Sequence, residues 1–327
     1  MNIREETLRA LEKNRGKPVS GESLAKSLNV SRTAIWKAVS DLKRAGYPIT
    51  SGTNRGYALS DESRILSAQG LSPWFSRVAP PLSIHRTIDS TNNEAKRIIA
   101  EASAGGIPFG LVIAADEQTA GRGRRGRTFC SPAADSIYLS FILKPASNME
   151  RSLLTTIAAA TAVCETIECV CEDAPPRIKW VNDIFMDGKK VCGILTEAIS
   201  DIESGGIEAL VLGVGVNINV PETAFPKEIR RVAGSIRLPA RDRNRFAAVL
   251  IERTLAVCGD LSDSKPLMEH YRRRSMIVGK PIHVIRGAQK ENAIALAIGD
   301  DGSLAVEYAN GERGILHSGE VSILNAE

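Results

Sequence analysis

Near the start of the chain, apolar positions recur at helical spacing in short bursts. Leu8 and Leu11 share one face of a segment from Glu6 to Asn14. Leu24 and Leu28 lie one turn apart in a second segment capped by Ser20, and Asn29 suits the left-handed residue that ends it. Ser31 caps a third helix. Its Ile35, Val39 and Leu42 fall together, while Arg32, Thr33, Trp36, Lys37 and Ser40 form the opposite, polar face. Two short extended runs follow, Tyr47 to Thr50 and Gly56 to Leu59, and they flank Ser51 to Arg55 as a hairpin with a basic tip. Short helices, a tight turn and a hairpin predict a winged helix-turn-helix over residues 1–62, with the third helix as the groove reader.

Beyond residue 62 the elements lengthen. A short helix is expected around Ile65 to Gly70, a strand over Ser83 to Ile88, and a helix from Asp89-Ser90-Thr91-Asn92-Asn93-Glu94 through Ala100. Leu111 to Ala115 and Ile137 to Leu143 read as buried strands, and Leu153 to Val170 as an apolar core helix. Arg177 to Asp183 leaves a strand and ends in a carboxylate-bearing loop. Phe185-Met186, Asp187-Gly188-Lys189-Lys190 and Val191 to Leu195 read as a hairpin, with Lys190 at the start of the returning strand. Ala209 to Asn219 is a buried strand. Its Gly213-x-Gly215 lacks the third glycine and the following helix of a dinucleotide fingerprint, and no P-loop occurs. Helical residues run from Asn244 to about Arg274. From Ile277 onward five short strands alternate with turns such as Gly299 to Gly302 and Asn310-Gly311. The expected class is α+β. It comprises a winged helix at 1–62, a mixed α/β domain at 63–274 and a small barrel-like domain at 275–327.

Composition changes this picture in two places. The formal charge is +4, but residues 1–60 hold 11 Lys and Arg against 5 Asp and Glu, while the remainder holds 31 against 33. The basicity is therefore an N-terminal property, as a nucleic-acid module attached to a near-neutral body requires. A packing module that touches no DNA is the competing reading, since fold does not fix function. If DNA is bound, Arg32, Thr33, Trp36 and Lys37 are candidates for the groove and Arg55 for a phosphate. The six cysteines lie mostly inside apolar segments without a CxxC pair, pointing to reduced thiols, a cytoplasmic protein and no zinc site. No apolar run is expected to span a bilayer, so no membrane role is expected. The four histidines are scattered and suggest neither metal site nor triad.

The chemistry concentrates in Gly121-Arg122-Gly123-Arg124-Arg125-Gly126-Arg127, between two core strands. Glycines disfavour helix and strand, and four neighbouring guanidiniums repel one another unless an anion lies among them. A flexible loop awaiting a phosphate is expected. Nucleic acid binding and a solvated surface loop are the other readings of that composition, and its place between core strands favours an active site. Asp183 is a candidate Mg²⁺ ligand beside a triphosphate. Thr91-x-x-Glu94 reads first as a capping box, with hydrogen bonding to a polar ligand as the functional alternative.

Asp89-Ser90-Thr91-Asn92, Gln118 with Gly121 to Arg127, Lys179-Trp180-Val181-Asn182-Asp183 and Lys190 to Leu195, in that order, resemble a biotin protein ligase. With its winged helix the chain is similar to the two-function bacterial form, biotin–[acetyl-CoA-carboxylase] ligase and biotin operon repressor. The resemblance implies that the C-terminal domain is an SH3-like barrel. It further implies that biotin and ATP yield biotinyl-5′-adenylate, and that biotin then passes to a lysine of a carboxylase carrier protein. Carried over by position, Ser90, Thr91, Asn92 and Gln118 would line a biotin pocket. Arg122, Gly123 and Arg124 would close over biotin and the adenylate phosphate, and Lys190 would meet the biotin carboxyl region. A ligand-promoted homodimer on operator DNA is also implied. Val181 stands where the family often has Pro, a change expected to loosen the loop carrying Asp183. Phe129 stands where Trp is common. A non-catalytic ligand-sensing repressor and a lipoate ligase are the alternatives.

Overall fold

The computed structural model describes residues 2–52, 55–102, 106–131, 136–145, 150–171, 174–200, 206–286 and 289–324. Two compact units result: residues 1–79 with 238–249, and residues 80–237 with 250–327.

The first unit contains α1 (Ile3–Lys13), α2 (Gly21–Ser27), α3 (Arg32–Arg44), β1 (Ile49–Gly52), β2 (Gly56–Leu59) and α4 (Ala68–Leu71). Ser20 Oγ accepts from the backbone of Glu22 and Ser23, Ser31 Oγ from that of Ala34, and Asn29 has φ of 52°. These are the expected caps and stop. α1 begins earlier than Glu6 because the Asn2 side chain caps it, accepting from Arg4 N. α4 begins later than Ile65, under the Ser67 cap. Leu8, Leu11, Leu24, Ile35, Val39, Leu42, Ile49 and Leu59 form one buried core. β1 and β2 pair in antiparallel register from Ile49–Leu59 to Gly52–Gly56. The expected wing tip includes Thr53 and Asn54, which lie outside the described residues.

The second unit is built on a seven-stranded sheet. Its elements are β3 (Leu82–Ile88), α5 (Thr91–Glu101), β4 (Val112–Gln118), β5 (Ser136–Leu143), α6 (Glu150–Val170), β6 (Arg177–Lys179), β7 (Asp183–Met186), β8 (Lys189–Ser200) and β9 (Ile207–Asn217). The strand order is β3-β4-β5-β9-β8-β7-β6, with β3 and β4 parallel and every other pair antiparallel. α5 buries Ala95 and Ile99 against Ile113, Ile142, Ala209 and Val211. The opposite face of β8 meets α6, where Thr156 and Thr196 hydroxyls lie 2.8 Å apart. Contrary to the sequence expectation, Leu153–Val170 is long and apolar enough to cross a membrane by length and composition. It is 72% buried against its own protein, which makes it a core helix.

α7 (Arg243–Gly259) and α8 (Lys265–Arg274) follow, then β10 (Pro281–Arg286), β11 (Gln289–Ile298), β12 (Leu304–Tyr308), β13 (Arg313–Leu316) and β14 (Glu320–Ile323). These five strands form a separate antiparallel sheet in the order β13-β12-β11-β10-β14. Among the described residues β13 and β14 do not pair with each other, so the ladder is an open sheet and not a closed barrel. All six cysteines are free. Cys164 and Cys192 are buried with raised pKa values caused by burial, whereas Cys169 is exposed, which its apolar surroundings in the sequence did not suggest.

The turn before β12 docks on α6. Gly302 has φ of +83°, and a Cβ there would fall 2.2 Å from Ile157 Cδ1. Its carbonyl accepts from Trp180 Nε1 at 2.9 Å. Gly302→Ala combines a strained backbone with overpacking and is expected to cost about 2–4 kcal/mol. Urea unfolding of the full chain checks this, with Gly311→Ala, whose Cβ would meet nothing, separating backbone strain from the steric term.

Candidate active site

The floor of the site is made by glycines. Gly193 of β8 and Gly215 of β9 are directly paired, and a Cβ on either would press into the Phe129 ring, at 2.8 and 2.6 Å. A Cβ on Gly213 would fall 2.3 Å from Asn92 Oδ1. The Gly213-x-Gly215 pair that does not serve a dinucleotide thus has another physical reason: two side chains lie flat on the sheet. Phe129 also meets Tyr138 edge-on, with ring centroids 6.4 Å apart.

One wall is the start of α5. Ser90 is the cap, its Oγ accepting from Asn93 N at 3.5 Å. The capping box expected at Thr91 is therefore out of register by one residue. Thr91 is instead turned inward, its N and Oγ1 donating to Gln118 Oε1 at 2.8 and 3.1 Å. Gln118 Nε2 in turn donates to Ser131 Oγ at 3.0 Å. Ser140 Oγ lies 2.7 Å from Thr91 Oγ1 and 2.5 Å from Asn92 Oδ1, so its one proton serves one of them. Ser90, Thr91 and Asn92 line the cleft, with Thr91 and Asn92 held there by Gln118 and Ser140.

The arginine loop is a small hairpin. Gly123 N donates to Arg127 O at 2.7 Å and Phe129 N to Gly121 O at 2.9 Å, while Arg125 and Gly126 turn the corner with φ of 55° and 73°. The expectation of guanidiniums without partners until a ligand arrives is corrected here. Arg122 Nη1 donates to Asn93 Oδ1 at 2.9 Å, and its Nη2 lies 3.3 Å from Glu197 Oε1. Arg124 Nη1 donates to Asn182 Oδ1 at 3.0 Å. Arg125 and Arg127 lie 3.8 and 2.7 Å from the two oxygens of Glu320, on β14. Mutual repulsion is relieved by protein carboxylates far away in sequence, which no local reading of the loop could find.

Opposite the loop, Lys190 Nζ stands 2.7 Å from Asp183 Oδ1, an ion pair whose angles fall outside those of a directed hydrogen bond. The turn carrying Asp183 is fixed without proline. Asn182 Nδ2 donates to Ile194 O at 2.8 Å and the buried Tyr271 hydroxyl to Val181 O at 3.0 Å, so the loosening expected from Val181 is offset. The Trp180–Val181 peptide is cis. Burial lowers the pKa of the Arg124 guanidinium; Asp183 works the other way and the like charge of Arg125 adds to the lowering. Such a cation is one that an entering anion would stabilise.

Ser90, Thr91, Asn92, Gln118, Arg122, Gly123, Arg124, Asp183 and Lys190, the residues expected from the sequence, all line one cleft, together with Phe129, Asn182 and Glu320. Its polar, hydroxyl-rich end and cationic end are contiguous, suiting a ligand that is neutral and hydrogen-bonding at one end and anionic at the other. On the first unit Arg32, Thr33, Lys37 and Arg55 are exposed, and Trp36 is 62% exposed. Among the described residues no group of three or more His, Cys, Asp or Glu side chains is arranged to hold a metal.

Comparison with known proteins agrees with this arrangement. Residues 85–217 match the biotin/lipoate A/B protein ligase family, residues 4–58 an HTH domain and residues 277–324 the biotin protein ligase C terminal domain. The bifunctional ligase/repressor BirA of Bacillus spizizenii is 31% identical over 232 residues, covering 71% of this chain and 70% of that one. The protein of the same name from Escherichia coli is 28% identical over 318 residues, covering 94% of each. The biotin protein ligase from Aquifex aeolicus in complex with biotin and ATP superposes with a TM-score of 0.61 at 25% identity, covering 75% of this chain and 99% of that one. With the cleft, the N-terminal module and the C-terminal sheet each matched in place, this chain belongs to the biotin protein ligase family.

Proposed function

We propose that the chain makes biotinyl-5′-adenylate from biotin and ATP and passes biotin to a lysine of a carboxylase carrier protein. Through its helix-turn-helix it also represses transcription, with the adenylate as corepressor. The observation that carries this is the continuity of the cleft, from the hydroxyl and amide wall of Thr91, Asn92 and Gln118 to the cations Arg122, Arg124 and Lys190. The first end suits the ureido ring of biotin, and Phe129 on its glycine floor suits the apolar ring face. The second end suits the reacting anions. A carboxylate approaching the α-phosphate of ATP is an anion meeting an anion, and positioned cations lower that barrier as charge develops. Lys190 is assigned to the biotin carboxylate, and Arg122 and Arg124, with Gly123 between them giving close backbone approach, to the phosphate.

Mg²⁺ fits here as a cation held by Asp183 together with phosphate oxygens, since such ions use one or two carboxylates plus substrate phosphates and not an all-protein cage. It would supply charge neutralisation on the polyphosphate. The assigned domain limits are 1–62 for DNA, 63–274 for catalysis and 275–327 for the C-terminal domain, whose five-stranded antiparallel sheet is assigned to an SH3-like arrangement left open between its edge strands. The DNA contacts are assigned to Arg32, Thr33, Trp36 and Lys37 in the groove and Arg55 on a phosphate. A ligand-promoted homodimer matches the need for two half-sites, because one such module makes few base contacts. Free cysteines and an intracellular substrate pair support a cytoplasmic location.

Transfer of labelled biotin to a carrier domain tests the enzyme. Arg122→Ala, Arg124→Ala and Lys190→Ala are each expected to lower kcat/KM by about 10²–10³-fold, the range for losing a preorganised electrostatic group. Wild-type protein that releases no pyrophosphate from ATP and biotin would instead support a ligand-sensing repressor, and preference for lipoate would move the specificity. In the same assay Gly215→Val, which unseats Phe129, is expected to raise the biotin KM at least about 10-fold.

A gel shift tests the repressor. Operator binding should strengthen when biotin and ATP are both present. Arg55→Ala should lower affinity for all sequences and reduce the salt slope by about 1, whereas Lys37→Ala should lower the preference for operator over unrelated DNA. A midpoint indifferent to both ligands would remove the regulatory half and leave the ligase standing.

A further inference from the structure

Glu197 does not line the cleft, yet three side chains from two elements converge on it. Asn92 Nδ2 donates to its Oε2 at 2.8 Å, Lys96 Nζ to its Oε1 at 2.7 Å, and Arg122 Nη2 lies 3.3 Å from Oε1. Asn92 and Lys96 belong to α5, Arg122 to the arginine loop and Glu197 to β8. The two cleft residues among these three sit on different ligand ends, Asn92 at the hydroxyl wall and Arg122 at the cationic one. Gly213 leaves the space in which Asn92 reaches across the sheet. The second hold on Arg122 runs through α5 as well: Asn93, which accepts from it, donates to Asp89 Oδ2 at 3.0 Å, and Asp89 is fixed by Arg97.

Resting on the ligase reading of the cleft, we infer that Glu197 is a positioning residue that ties Arg122 to the start of α5 and so holds the phosphate-binding end of the site ready for the nucleotide. Arg122 has a long, flexible side chain, and its order costs up to about 2 kcal/mol of rotamer entropy that a prior anchor removes from the binding step. A carboxylate is the group suited to this task, because it accepts from a guanidinium, an ammonium and an amide at once. Its side chain is only 18% exposed, so the contacts are screened less than a surface pair's. Burial opposes its ionisation, but the hydrogen bonds from Lys96 and Asn92 and the charges of Lys96 and Arg122 together lower its pKa, so the anchor is anionic at neutral pH.

The role separates from a merely structural one by equilibrium binding, which needs no turnover. ATP binding without biotin and biotin binding without ATP are measured by calorimetry on the full chain, for wild type, Glu197→Gln, Arg122→Ala and the double variant. Glu197→Gln is expected to weaken ATP about 10-fold and biotin less than about 3-fold. In the Arg122→Ala background it is expected to change ATP binding less than about 2-fold, the non-additivity of groups acting as a unit. Equal losses in both backgrounds, unchanged ATP affinity, or a drop in melting temperature without an ATP-specific effect would overturn the proposal. Should Glu197→Gln fail to fold, Glu197→Asp keeps the charge but withdraws it by one methylene, and the same ATP-selective, Arg122-dependent loss is expected. Wild-type protein that binds ATP yet transfers no biotin would defeat the ligase reading, whereas an ATP-selective, Arg122-dependent loss in Glu197→Gln would still support the positioning of Arg122 for a nucleotide.

Discussion

Charge balance around the arginine loop is the constraint on which the site depends. Four guanidiniums within six residues cannot be held near one another in a folded protein unless carboxylates or amide oxygens stand close. Glu197 from β8 and Glu320 from β14 supply the carboxylates, and Asn93 and Asn182 the oxygens. The second unit meets this need from two sides: the C-terminal sheet brings Glu320 to the loop, and the long β8 carries Lys190 into the cleft and Glu197 behind it, against Arg122. The Trp180 and Tyr271 hydrogen bonds then fix the turn that presents Asn182 and Asp183 across from it.

The magnitudes say which of these contacts ligand can displace. Arg127 is 67% exposed and its pair with Glu320 is worth about 0–1 kcal/mol. A phosphate offers charge-assisted hydrogen bonds that are roughly twice as strong as neutral ones. Exchange of Glu320 for a nucleotide oxygen is therefore inexpensive. Arg122 is less exposed, at 44%, and is gripped at both terminal nitrogens, so it presents its charge without being free to wander. The loop thus combines loosely held cations at its tip with one firmly placed at its base.

The local grammar of the chain was legible residue by residue. Ser20, Ser31 and Asn29 end or begin helices where their side chains and backbone preference require. The residues that the resemblance marked out for ligand binding all line one cleft, at the start of α5, the end of β4, the arginine loop and the β7–β8 hairpin. What remained hidden was long-range. Glu320 lies 193 residues from Arg127, and nothing in either neighbourhood announces the other. Thr91 was misread for a related reason: a Thr-x-x-Glu spacing is a valid cap signal, but Ser90 one residue earlier took the cap and Gln118, 27 residues on, took Thr91. α6, by contrast, was legible: its apolar run reads as a core helix, and the helix is 72% buried although its length and composition would also suit a membrane span.

These contacts change how a ligand can act as a signal. A loop without partners would have to order itself around the adenylate, and the ordering entropy would be charged against affinity at that moment. A hairpin whose arginines already rest on carboxylates needs less ordering: at its tip a ligand oxygen would take the place of Glu320, while Glu197 keeps Arg122 in position. Glu320 belongs to the C-terminal sheet, so its release by a ligand would change the charge balance of an element outside the catalytic sheet. Differential contact of this kind is what coupling between a catalytic cleft and a distant readout requires, because a ligand shifts an equilibrium only through interactions that differ between the two states.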